Sequence, residues 1–110
     1  MATKKLAMIS QPMKGLTDEQ IKAAKADAVA FLEANGYEVV NTFFEDFKTA
    51  NCKNIPLAYL AKSINALSQV DALYCVKGWH EARGCKFEHD IAKAYGIEVI
   101  TDSDDEFAND

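Results

Sequence analysis

Apolar and polar positions alternate along this chain with two different periods. Lys5–Ser10, reading KLAMIS, is a short and largely apolar run that suits a central parallel strand. Gln11-Pro12-Met13-Lys14-Gly15-Leu16 is a turn-rich loop. Thr17-Asp18-Glu19-Gln20 has the spacing of a capping box, with Thr17 as N-cap and Gln20 reaching back. The helix it opens places Ile21, Ala24, Ala28, Phe31 and Leu32 on one face and Lys22, Lys25 and Glu33 outside. Gly36 ends that helix in the usual C′ position. Tyr37–Thr42 reads as a second strand. Phe43–Ile55 is irregular, with Phe43, Phe44 and Phe47 set among charged residues. Those aromatics cap the core or an oligomer interface, or the segment forms a lid over a ligand. Asn54 and Pro56 suit a helix start, and Leu57, Leu60, Ala61, Ile64 and Leu67 line the face that follows. Val70–Val76 predicts a third strand. A loop over 77–84 leads to a helix over Gly84–Tyr95, with Phe87, Ile91, Ala94 and Tyr95 on one face. Ile97–Thr101 predicts a fourth strand.

Strands alternating with helices imply parallel strands joined by right-handed crossovers. The expected fold is therefore an α/β three-layer sandwich around a four-stranded parallel sheet, and the strand order is taken to be 2-1-3-4. In that order the winding reverses between strands 1 and 3, where open α/β sheets bind ligands. The loops Ser10–Gly15 and Lys77–Gly84 would flank that crevice. No G-x-G-x-x-G follows the first strand, so a standard dinucleotide site is not expected.

Glu88 is the sharpest chemical signal. It falls on the predicted apolar face, one residue after Phe87 and three before Ile91. A carboxylate there is costly unless something offsets it. The first helical turn, with its free N–H groups and dipole, is the expected offset. The plain alternative is that Glu88 only caps its own helix.

Length and composition narrow the class. At 110 residues the chain forms one domain, taken as 1–101, and its apolar fraction of 49% and charged fraction of 26% are ordinary for a globular protein. No apolar run approaches a membrane span and no secretory h-region is present, so a cytoplasmic protein without membrane contact is expected. The net charge of −5 resides in the segment 102–110, whose five acids carry no compensating base. That segment reads as a flexible acidic tail. The body is neutral and has no basic stripe for a nucleic-acid polymer.

Other chemistry-bearing residues have a bland reading beside a sharp one. Cys52, Cys75 and Cys85 form no C-x-x-C pair, so reduced thiols are expected. A helix start could stabilise a Cys85 thiolate, but no orienting base is evident. His80 is the better general-acid candidate, against simple loop packing. His89, about 100° around the helix from Glu88, reads as a surface residue. The trio His80, Cys85 and His89 fits no zinc spacing, so no metal and no cofactor are expected. Trp79 either stacks a base or plugs the core. Arg83 meets a phosphate or carboxylate, or pairs with Glu81 or Glu88.

The segments ISQPMKGLT, GYEVVNT and DALYCVKGWHEARGCKFEHDIAKAYGIEV together resemble the nucleoside 2-deoxyribosyltransferase superfamily. The resemblance is closest to a small bacterial and phage branch, with S-G-P-M-x-G after the first strand and a later G-W-x-x-S-x-G-x-x-x-E. In that superfamily a glutamate attacks C1′ of deoxyribose, displaces the base and forms a glycosyl-enzyme, the logic of a retaining glycosidase. Glu88 matches it. Departures surround the match. Met8 stands where the superfamily often has a tyrosine, Gln11 replaces the glycine of S-G-P, Ser63 stands for an aspartate, and Ala82 replaces a phosphate-contacting serine.

The resemblance implies a pocket formed by Met8, Ser10, Gln11, Met13, Gly15, Ser63, Trp79, His80, Arg83 and Gly84 around Glu88. With those polar groups exchanged, the expected function is binding of a nucleoside, nucleotide or nucleotide-derived small molecule. In a phage-like setting such a binder would sequester a signalling nucleotide. The alternative is an N-glycosidase or deoxyribosyltransferase that acts on deoxynucleosides or their 5′-monophosphates through Glu88. A homodimer or higher homo-oligomer is expected, from the phenylalanines at 43, 44 and 47 and from the superfamily's habit.

Overall fold

The computed structural model describes residues 4–40 and 51–101. Its elements run β1 (Lys5–Ser10), α1 (Asp18–Ala34), β2 (Tyr37–Val39), α2 (Ile55–Leu67), β3 (Ala72–Cys75), α3 (Arg83–Ala94) and β4 (Glu98–Thr101). A single 3-10 turn, Trp79–Glu81, lies between β3 and α3. All pairings are parallel, as the alternation of periods predicts, and the order is the expected β2-β1-β3-β4. β1 has the bounds of its apolar run, whereas β3 and β4 are shorter than the runs that announce them. Asn41, Thr42 and the three phenylalanines at 43, 44 and 47 lie outside the described residues, as does the acidic segment 102–110.

Two apolar layers enclose the sheet. On one face Ala7, Ala72, Tyr74 and Val76 pack with Ala28 and Leu32 of α1. On the other, Met8, Leu73 and Cys75 pack with Leu67, Trp79, Cys85 and Ala92. The α1 start is the predicted capping box: Gln20 N–H donates to Thr17 Oγ1 at 3.1 Å, and Thr17 N–H donates to Gln20 Oε1 at 2.9 Å. Asn54 caps α2, its Oδ1 accepting from Leu57 N–H at 3.0 Å.

Helix phase departs from expectation in places. Phe31 sits at the rim of α1, half-exposed, its ring 5.7 Å from that of Tyr74. In α2 the inward line is Leu60, Ser63, Ile64 and Leu67, while Leu57 and Ala61 face outward. In α3 the buried residues are Cys85, Glu88, His89 and Ala92. Phe87 is 46% exposed and Tyr95 81% exposed, so neither lies on the inner face. Small Cys85 and Ala92 let α3 approach the sheet where Trp79 already fills the volume. His89 is accordingly 6% exposed and not a surface residue.

Candidate functional site

The carboxyl ends of β1 and β3 lie side by side, with Ser10 opposite Cys75 and Val76 N–H donating to Ser10 O at 3.0 Å. This is the point where the strand order reverses, the place at which α/β sheets receive ligands. The two loops leaving these strands meet. Gly78 holds φ at +91°, and a Cβ there would stand 3.6 Å from Pro12 Cγ. The left-handed turn at Gly78 carries the chain directly into the Trp79–Glu81 turn.

Three expected residues converge at this point. Ser10 Oγ donates to Glu88 Oε1 at 2.8 Å, in a buried bond that ties β1 to α3. Ser63, from the inward line of α2, is a second hydroxyl on the same carboxylate. Glu88 itself is 8% exposed. Burial raises its pKa, while hydrogen bonds from Ser10 and, to a lesser degree, Ser63 pull it back down. The helix start is not what supports this acid. It is the sixth residue of α3, beyond the free N–H groups of the first turn, so serine hydroxyls take the part that the expected first-turn placement assigned to the backbone.

Cys85, one turn before Glu88, is a member of the cluster that the sequence did not single out as a site residue. The Ser10 hydroxyl also reaches its thiol, and Cys85 is buried. Desolvation, aided by the nearby Glu88 charge, pushes its pKa up to about 11. The unreactive reading of Cys85 is therefore favoured: low polarity outweighs the helix terminus. The i, i+3 relation of Cys85 to Glu88 was the available signal.

The remaining candidates are spread around this cluster. Trp79 is buried, and its ring stacks on His89 with centroids 3.9 Å apart and planes at 20°. It is part of the core, with a second ring neighbour in His80, edge-on at 5.8 Å. His89 Nδ1 lies 3.0 Å from Asp90 Oδ1. His80 is half-buried, with Nε2 3.9 Å from Glu81 Oε1. Met8 is buried in the core, and Met13 is exposed in its loop. Gln11 does not reach into the crevice through its amide, because Nε2 donates to Ile21 O at 2.5 Å and anchors the loop to α1. Gly15 takes φ of +81° in the same loop. Arg83 and Gly84 are the exposed first residues of α3. Among the described residues Arg83 forms no ion pair, with Glu88 or with any other acid. The carboxylate is thus held by neutral hydroxyls.

The chain matches the profile of a family described as Domain of unknown function (DUF4406) over residues 5–101. The chain belongs to the DUF4406 family. The matched span runs from the first residue of β1 to the last of β4, so it takes in the whole sheet and the Ser10–Ser63–Glu88 cluster. No curated protein matches the chain. Among the described residues no group of three or more His, Cys, Asp or Glu side chains is placed to hold a metal ion. No helix among them is long and apolar enough to cross a membrane.

Proposed function

We propose that this DUF4406 domain binds a nucleoside, nucleotide or nucleotide-derived small molecule in the crevice between β1 and β3, with Glu88 as the principal polar contact. The observation that carries the reading is a buried carboxylate at the sheet's switch point, beside Ser10 and Ser63 and with no ion-paired cation among the described residues. An acid in such a place is costly to keep in a fold that does not use it. Its acceptor oxygens suit the hydroxyls of a sugar. The likeness of Ser10–Gly15 and Gly78–Glu88 to the nucleoside 2-deoxyribosyltransferase superfamily supports the same ligand class. In a phage-like setting the binder would sequester a signalling nucleotide.

A second reading is N-glycosidic bond cleavage or deoxyribosyl transfer with Glu88 as covalent nucleophile. The orientation of its carboxylate by the Ser10 hydroxyl favours this. The upward shift of its pKa favours binding, because a nucleophile must be ionised. The reading takes the protein to be cytoplasmic, as befits Cys52, Cys75 and Cys85, which form no disulfide among the described residues. It also takes copies of the chain to associate: Ile55, Leu57 and Tyr59 of α2 present exposed apolar surface.

One experiment tests both readings. The protein is incubated with each 2′-deoxynucleoside and 5′-monophosphate, and free base and melting temperature are measured. A melting shift without base release, lost in Glu88→Ala, supports binding. Base release abolished by Glu88→Ala establishes the enzyme instead. Neither a shift nor release with any compound would end the proposal.

A further inference from the structure

Trp79 carries a hydrogen-bond donor that meets no acceptor among the described residues. Its side chain is 4% exposed, and Nε1 is shielded from solvent without a hydrogen-bond partner among the described residues. Buried indole N–H groups ordinarily find a partner, and leaving one unmatched is destabilising. The chain carries a single tryptophan, and it follows β3 at the switch point, two residues after Lys77 and one after the left-handed Gly78.

The indole borders the carboxylate cluster on two sides. It packs in one apolar cluster with Cys85 and Met8, and Cys85 shares the Ser10 hydroxyl with Glu88. It also stacks on His89, the residue that follows Glu88 in α3. With His89 against one ring face and the core around it, the indole has little π surface to offer a base. What it offers is the N–H at its edge.

We propose that Trp79 recognises the ligand as a hydrogen-bond donor through Nε1, with its edge and not its ring face. This rests on the binding reading above. The crevice then presents complementary chemistry: acceptor oxygens at Glu88 for ligand hydroxyls, and one N–H at Trp79 for a ligand carbonyl oxygen or ring nitrogen. Ligands with both features, a hydroxyl-bearing sugar joined to an acceptor-bearing heterocycle, satisfy both ends at once. A compound with the sugar alone leaves the indole unmatched.

The single tryptophan makes the test direct. The full chain, labelled with 15N, gives one indole cross-peak. It is titrated with the four 2′-deoxynucleosides, their 5′-monophosphates and free 2-deoxyribose. A nucleoside or nucleotide that moves the Glu88 backbone amide is expected to shift the indole proton downfield and slow its solvent exchange. Free 2-deoxyribose is expected to leave the indole unmoved. Trp79→Phe keeps a ring against His89 without the N–H, and is expected to bind the same compound about tenfold more weakly. If the Glu88 amide responds while the indole stays still, the donor role is wrong and the binding reading stands. If no compound moves either signal, both are wrong. Should Trp79→Phe fail to fold, the wild-type titration decides alone.

Discussion

Ser10 and Glu88 are 78 positions apart in sequence, and a 2.8 Å hydrogen bond between their side chains joins the end of the central strand to the middle of the last helix. The bond places a carboxylate over the one point in the sheet where the winding direction changes. Both residues are buried, so the interaction lies in a medium less polar than water, where orientation is well defined and the charged form is penalised.

That penalty has a sign that can be measured. The pKa of Glu88 is raised in the folded protein, chiefly by desolvation. Folding therefore favours its protonated form. Its destabilising contribution is absent at pH values below the ordinary glutamate pKa of about 4.3, and grows as pH rises through the folded value. Glu88→Gln keeps the shape and an acceptor for Ser10. It is expected to be more stable than wild type near neutral pH by about 1 kcal/mol, with the difference vanishing in acid. Thermal melts of both proteins from pH 3 to pH 8 check this. A wild type that remains the more stable protein at neutral pH would contradict it.

The hydroxyls act in the opposite direction to burial. Ser10→Ala and Ser63→Ala each remove a donor that favours the carboxylate, so each is expected to raise the Glu88 pKa further. The Ser10 variant has the larger effect, in keeping with the order of the two contributions. Carbon-detected titration of the Glu88 side-chain carboxyl reads the shift directly. Each serine also contributes to holding the acid, and its loss costs about 1 kcal/mol of stability.

Much of this arrangement is legible in the chain, and the illegible part has a physical reason. Thr17 and Gln20 announce the α1 start because both halves of the capping box are local. The parallel pairing of the strands follows from the alternation of periods, and Glu88 stands out because an acid interrupts an apolar helix face. Helix phase is harder. Phe87 and Tyr95 are large and apolar, and counting bulk assigns them inward. The structure instead buries Cys85 and Ala92, because close approach to the sheet requires small residues beside Trp79. The burial of His89 depends on a stacking partner ten positions earlier, which no helical repeat encodes. Gln11 likewise looks like a pocket residue until Ile21 O claims its amide.

Thiol reactivity separates the cysteines. Cys85 has its pKa pushed up to about 11 and is buried, so at pH 8 only about one molecule in a thousand carries the thiolate. Cys75 is fully buried in β3, whereas Cys52 is half-buried ahead of α2. Iodoacetamide at pH 8 is expected to label Cys52 first, and to modify Cys75 and Cys85 only on the timescale of unfolding. Mass spectrometry of peptides from a time course checks the order. Rapid native labelling of Cys85 would show that its surroundings are more polar than described.

The opposite face of the sheet has its own tie. Tyr37 Oη, on edge strand β2, donates to Glu98 Oε1 on edge strand β4. The two side chains meet across the central strands, which present the small residues Ala7 and Ala72 on that face. The bond to Glu98 is the main reason that the Tyr37 pKa is raised above its ordinary value, with burial and the Glu98 and Asp71 charges adding to it. The phenol contributes stability that is fully present below the unfolded tyrosine pKa of about 10 and lost as pH rises through the higher folded value. Tyr37→Phe is expected to cost about 1 kcal/mol at neutral pH. It should also flatten the decline in stability above pH 10. Urea melts of wild type and variant at pH 7 and at pH 10.5 measure both effects. An equal decline in the two proteins would mean that another group governs alkaline unfolding.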